Sequence, residues 1–148
     1  MTSLDPYLGF NGNCAEAMCF YVETFDRTVE TLLIYGASSV ANECTADSAE
    51  RVMYARLRRS ERSIMAADCP LDQSYDGMRH ISLCLSYDTV EEATRIYAIL
   101  RQDGELRMAL APTFWAGAFA MLVDRYGTPW ISTARWLSFD PPLAACRT

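Results

Sequence analysis

Two stretches decide how this chain folds: NCAEAMCFYVETF at residues 13–25 and TVEEATRIYAILR at residues 89–101. In the first, Cys14, Ala17, Met18, Tyr21, Val22 and Phe25 recur at helical spacing and form one apolar face, with Asn13 placed to cap the helix. In the second, Val90, Ala93, Ile96, Tyr97 and Leu100 make the same stripe. Thr89 stands at its cap position and Gly104 follows its end. Glu16-Ala17 and Phe20-Tyr21 match Glu92-Ala93 and Ile96-Tyr97 at a constant offset of 76 residues, close to half of a 148-residue chain. That pattern points to an internal duplication.

Working outward, each helix is preceded by one strand candidate, at 6–10 and 79–87. Three more follow it, at 28–36, 51–58 and 62–68 in the first half and at 105–111, 117–124 and 129–136 in the second. Gly36 with Ser38 and Ser39, Ser60-Glu61, Gly104 and Tyr126-Gly127 mark the turns between them. The chain therefore reads as βαβββ twice, an α+β fold of paired modules forming a curled mixed sheet. Module one covers 1–74 and module two 75–137, with a connector at 72–77. An irregular tail spans 138–148 and contains Pro141-Pro142.

Composition narrows the function classes. Hydrophobic residues make up 51% of the chain and charged residues 22%, as in an ordinary globular protein. No apolar run approaches the roughly 18 residues that cross a bilayer, and the first six residues carry no signal-peptide pattern. The expected location is the cytoplasm, with no membrane partner. The net charge is −6, and all 13 basic residues are arginines. The densest basic cluster, Arg56, Arg58, Arg59 and Arg62, is too short to track a nucleic-acid backbone and reads as a solvated strand edge and turn. Six cysteines (14, 19, 44, 69, 84 and 146) form no C-x-x-C pair. Reduced thiols are expected, with Cys14, Cys19 and Cys84 as small core residues.

Strand alternation locates a candidate site. At 79–87, Ile81, Leu83, Leu85 and Tyr87 share one face; His80, Ser82, Cys84 and Ser86 share a small, polar one that suits the wall of a cup. At 51–58, Met53, Ala55 and Leu57 are expected in the core. Val52, Tyr54, Arg56 and Arg58 then lie opposite, where Tyr54 and Arg56 could hold a planar or anionic ligand. His80 is the only histidine, which excludes a two-histidine metal site within one subunit. It is a candidate general acid or base, since imidazole titrates near neutral pH. Asp68, just before Cys69-Pro70, reads as a ligand, an acid/base group or a strand-end turn former. Phe114 and Trp115 fall in an interstrand loop, where aromatics line pockets and interfaces. There is no Gly-rich phosphate loop, no nucleophile elbow and no Gly-rich motif for an S-adenosyl cofactor.

The opening Pro-Tyr-Leu-Gly-Phe-Asn-Gly-Asn-Cys-Ala-Glu-Ala-Met-Cys-Phe-Tyr (6–21) resembles the start of PhnB-like proteins of the glyoxalase/bleomycin resistance/dioxygenase (vicinal oxygen chelate) superfamily. Ile64-Met65-Ala66-Ala67-Asp68, His80-Ile81-Ser82-Leu83-Cys84-Leu85, and Thr113-Phe114-Trp115 continuing to Asp124-Arg125-Tyr126-Gly127-Thr128-Pro129-Trp130 agree in the same order. The resemblance implies paired βαβββ modules around an open cup, commonly completed in a homodimer. It also implies four ligands to a divalent ion, taken from the first and last strand of each module. Carried over, those positions fall at or beside Pro6, near Asp68, at His80 or Ser82, and at Ile131, whose cup-facing neighbours are Thr133 and Arg135. At most two of the four keep a ligand, and a catalytic metal usually needs three. The expectation is a small-molecule-binding protein with no cofactor. Tyr54, Arg56, Ser82, Phe114 and Trp115 would contact the ligand, and His80 and Asp68 would be available for lyase- or isomerase-type acid/base work. A metal-dependent glyoxalase- or dioxygenase-type enzyme and a drug-sequestering resistance protein are the alternatives.

Overall fold

The computed structural model describes residues 2–135. The expected tail after Ser138, the end of the strand expected to reach 136 and Cys146 lie outside the described residues. The elements run β1 (Tyr7–Phe10), α1 (Cys14–Phe25), β2 (Thr28–Ile34), a short helix α2 (Ala46–Ala49), β3 (Val52–Arg59), β4 (Arg62–Asp68), β5 (Leu83–Tyr87), α3 (Val90–Leu100), β6 (Glu105–Ala111), β7 (Ala118–Val123) and β8 (Pro129–Ala134). Two 3-10 turns, Tyr35–Ala37 and Ala41–Glu43, lie between β2 and α2.

There are two compact units, one ending at His80 and the other beginning at Ile81. Each holds an open four-stranded mixed sheet, ordered β1-β4-β3-β2 in the first and β5-β8-β7-β6 in the second. In both, the first strand pairs parallel with the last, and the other pairings are antiparallel. The duplication read from the helices is therefore a duplication of topology. From β1 to β5 (7 to 83) and from α1 to α3 (14 to 90) the offset is 76 residues. From β3 to β7 (52 to 118) it drops to 66, because the first unit carries the turns and α2 in its β2–β3 connection. That insertion is not legible as structure in the sequence, where its serines and small residues read as a turn.

Each helix covers one face of its own sheet: α1 contacts β2, β3 and β4, and α3 contacts β5, β7 and β8. Cys14, Ala17, Met18, Tyr21 and Phe25 of α1 are buried against Leu8, Phe10, Ala55, Leu57, Ile64 and Ala66. In the second unit Ala93, Ile96, Tyr97 and Leu100 pack with Ala118, Ala120, Leu122 and Trp130. Thr89 caps α3 as expected, its Oγ1 accepting the Glu92 N–H at 3.2 Å. Asn13 makes no side-chain cap on α1. The Cys14 N–H instead donates to Asp68 Oδ1 at 3.1 Å, so a carboxylate from the end of β4 caps the helix. Close packing also fixes Gly104, where a Cβ would run into the Val123 carbonyl oxygen.

Three expectations are corrected. The strand expected at 79–87 begins only at Leu83. His80 precedes it with a φ of 57°, a left-handed conformation that breaks a strand, and Ile81 is 60% exposed instead of packed under a helix. Val52 is fully buried, although alternation placed it opposite the core. The cause is a β-bulge: Leu33 opposes Tyr54 but Ile34 opposes Val52, leaving Met53 as an extra residue that shifts the alternation by one. Of the three cysteines expected in the core, Cys14 is buried but Cys19 and Cys84 are exposed.

Candidate functional site

Sheet pairing defines the side of the first sheet that α1 leaves uncovered. Tyr7 lies beside Met65, Met65 beside Arg56, and Arg56 beside Thr31. One step along, Gly9 pairs with Ala67, and Tyr54 pairs with Leu33. These residues are half-buried or exposed, whereas their strand neighbours Leu8, Phe10, Ala55, Leu57 and Ala66 are buried. Tyr7, 55% exposed, meets Tyr54 ring to ring at 6.4 Å. Burial, then Tyr54, Cys14 and Tyr35, raise the Tyr7 pKa, so at neutral pH its phenol is a hydrogen-bond donor. A Cβ placed on Gly9 would touch nothing within 4 Å, so the space above the strand there is open. Tyr75 borders it, its hydroxyl donating to the Gly9 carbonyl at 2.8 Å.

Arg56 is on this face but is not a bare cation. Its Nε lies 3.1 Å from Glu30 Oε2 and donates to Ser63 Oγ at 3.1 Å, and its Nη2 is 4.0 Å from Asp5 Oδ2. A second bulge at Glu30, between Val29 opposite Leu57 and Thr31 opposite Arg56, puts that carboxylate there, where it also takes Arg58 Nη1 at 3.1 Å. An anion binding Arg56 has to displace Glu30.

Asp68 is 3% exposed and lies on the α1 side. Its Oδ1 accepts the Gly12 and Cys14 N–H groups at 2.7 and 3.1 Å, and its Oδ2 accepts the Val52 N–H at 2.8 Å. Both oxygens are thus occupied in tying α1 and β3 to the end of β4. Beside it, burial and then the Asp68 charge push the Cys14 thiol up to about 12. His80 is exposed, away from any strand. The structure does not bring His80 and Asp68 together as a pair with a shared hydrogen bond.

In the second unit the face that α3 leaves uncovered carries Cys84 beside Ile131, Ser86 beside Thr133, Thr133 beside Phe119 and Ile131 beside Met121. Ser82 is half-buried just before β5. Phe114 and Trp115, 82% and 42% exposed, pack edge to face at 4.7 Å. Trp115 in turn meets Phe119 at 5.4 Å, so the loop aromatics extend the uncovered face of β7. Sequence reading missed Tyr7, Gly9 and Met65, although their places in alternating strands β1 and β4 were available. It also missed a cavity of about 250 Å³ lined by Tyr35, Val40, Cys44, Arg51, Pro70 and Leu71, among others, beside the β2–β3 insertion.

The donor set that a glyoxalase-type ion requires does not fit these residues. Pro6 and Ile131 have no donor, both Asp68 oxygens are engaged by main-chain N–H groups, and His80 is off the strand. Among the described residues no three His, Cys, Asp or Glu side chains cluster as metal ligands.

Two open mixed sheets, each βαβββ with one face under a helix, define the α+β class of the glyoxalase/bleomycin resistance/dioxygenase superfamily. A protein of that description from Nocardioides shares the fold at 15% identity, with a TM-score of 0.58 over 98% of this chain and 91% of its own. Residues 2–132 match the family model described as 3-demethylubiquinone-9 3-methyltransferase, and this chain belongs to that PhnB-like family. Protein YjdN from Escherichia coli (strain K12) is 32% identical over 140 residues, covering 86% of this chain and 92% of that protein. Protein PA1353 from Pseudomonas aeruginosa is 36% identical and superposes with a TM-score of 0.85 over 91% of this chain and 98% of its own. A PhnB protein from Bacillus cereus is 25% identical, with a TM-score of 0.77 over 90% and 99%.

Proposed function

We propose that this chain binds a small oxygenated or planar molecule on its uncovered sheet faces, without the divalent ion of glyoxalase-type proteins. The observation that carries this reading is the open space above Gly9, bordered by the paired rings of Tyr7 and Tyr54. A sheet with one face fully packed does not need a second face of exposed aromatics for stability, and such patches usually serve binding. In the first unit Tyr54 supplies apolar and hydrogen-bonding surface and Arg56 offers charge only to a ligand that competes with Glu30; in the second unit the Phe114–Trp115 pair and Ser82 supply a surface of their own. Drug sequestration is one form of this function.

Turnover is a second matter. Asp68 is better suited to holding α1 than to acid/base work, which leaves His80 as the group to test for lyase- or isomerase-type chemistry. A homodimer in the cytoplasm belongs to the same proposal: Val29 and Leu32 on edge strand β2, and Leu106 and Met108 on edge strand β6, are apolar and exposed.

A thermal-shift screen against small oxygenated metabolites and peptide antibiotics tests the reading, run on the wild type and on Gly9→Leu in parallel. Gly9→Leu keeps the fold, because a strand side chain there has room. A compound that raises the Tm of the wild type and leaves that of Gly9→Leu unmoved is expected. No active compound, or equal shifts in both proteins, contradicts it.

A further inference from the structure

We propose that the first unit carries an oxyanion site, suited to a phosphate-type group, formed by Arg27, Arg59 and Arg62 at the C-terminal end of α1. Strand pairing splits the arginine cluster of the sequence in two. Arg56 and Arg58 fall on the uncovered face and share Glu30. Arg59 and Arg62 oppose each other at the end of the β3–β4 pairing, in line with Leu57 and Ile64 on the α1 side. Arg27 joins them from the turn after α1, where Asp26 adopts the left-handed conformation that ends the helix.

The three arginines converge at the end of α1, where Asp26 and Glu30 line a surface cavity beside Arg59 without pairing to it. Arg59 Nη1 donates to the Phe25 carbonyl at 3.1 Å, and Arg27 Nη1 donates to the Arg62 carbonyl at 3.3 Å. None of the three forms an ion pair among the described residues, and neither does the adjacent Asp26. Arg27 Nε is buried with no hydrogen-bond partner. Burial, Arg59 and Arg62 all lower the Arg27 pKa, the mark of a cation in an unfavourable field. Helix carbonyls offset part of this charge, about half an elementary charge against three. An unmet donor among like charges is costly unless a ligand satisfies it. A tetrahedral oxyanion has the charge and the several acceptors that three guanidinium groups require. Arg59 and Arg62 are exposed and open to it, and Arg27, held by one 3.3 Å bond to the Arg62 carbonyl, has to move for its buried Nε to meet an acceptor.

The site lies on the α1 side of the sheet, so it stands or falls separately from ligand binding above Gly9. The test is calorimetric titration of the full chain with inorganic phosphate and with glycerol phosphate, at constant ionic strength against chloride. Saturable binding of at least one of them is expected. Arg62→Gln, which removes no side-chain hydrogen bond, should weaken it about tenfold, the scale of one charge-assisted contact. Arg107→Gln, an exposed arginine of the second unit, should leave it unchanged. Absence of saturable binding to both anions, or equal losses in Arg62→Gln and Arg107→Gln, overturns the proposal.

Discussion

Asp68 marks the end of β4 and receives three main-chain N–H groups from two other segments. Its position was legible in the sequence, as an aspartate before Cys69-Pro70. Its role was not, because convergence of Gly12, Cys14 and Val52 on one carboxylate depends on the pairing of distant strands. Asp68→Asn turns an acceptor pair into one acceptor and one donor facing N–H groups. It should cost about 3 kcal/mol and lower Tm by roughly 10 °C; a Tm within a degree or two of the wild type, read by calorimetry, would refute the structural role. Cys14, beside it, has its thiol raised from 9.0 to about 12. The unfolded thiol ionises first, so above pH 9.0 the folded state holds more protons and stability falls with rising pH until about 12. Below 9.0 this contribution is constant. Replacing Cys14 with Ala should flatten that alkaline decline in denaturant titrations, and an unchanged slope would assign it to other groups.

At the scale of elements, both principal helices and all eight strands were legible as periodicity, because each has one face against a core and one away from it. Two bulges were not. Met53 and Glu30 are extra residues in the β2–β3 pairing, and nothing local distinguishes them from neighbours that keep alternation. The first bulge buries Val52 and the second delivers Glu30 to Arg56 and Arg58. These ion pairs are partly exposed, so Glu30→Ala should change stability by less than about 1 kcal/mol in chemical denaturation. A loss several times larger would mean that the arginines, left unpaired, disrupt the sheet. The strand at 79–87 illustrates a different limit: its apolar alternation extends through Ile81, but His80 adopts a φ of 57° and pairing starts at Leu83. Alternation reports which residues could share a face, and only hydrogen-bonded neighbours determine where a strand begins.

For the whole molecule, the duplicated helix motif carried the architecture, and 36% identity with a TM-score of 0.85 to the Pseudomonas aeruginosa protein agrees with it. The site was less legible because its positions come from the partners of each strand. Tyr54 was readable from alternation, whereas Tyr7, Gly9 and Met65 acquire meaning only beside one another. The central proposal is that this PhnB-like chain has open sheet faces without a donor set for a glyoxalase-type divalent ion. Elemental analysis of the purified protein, paired with its Tm before and after chelator, tests that claim most directly. The account predicts well under one divalent ion per subunit and no change in Tm; one tightly held ion per subunit, with a Tm that falls on chelation, would contradict it.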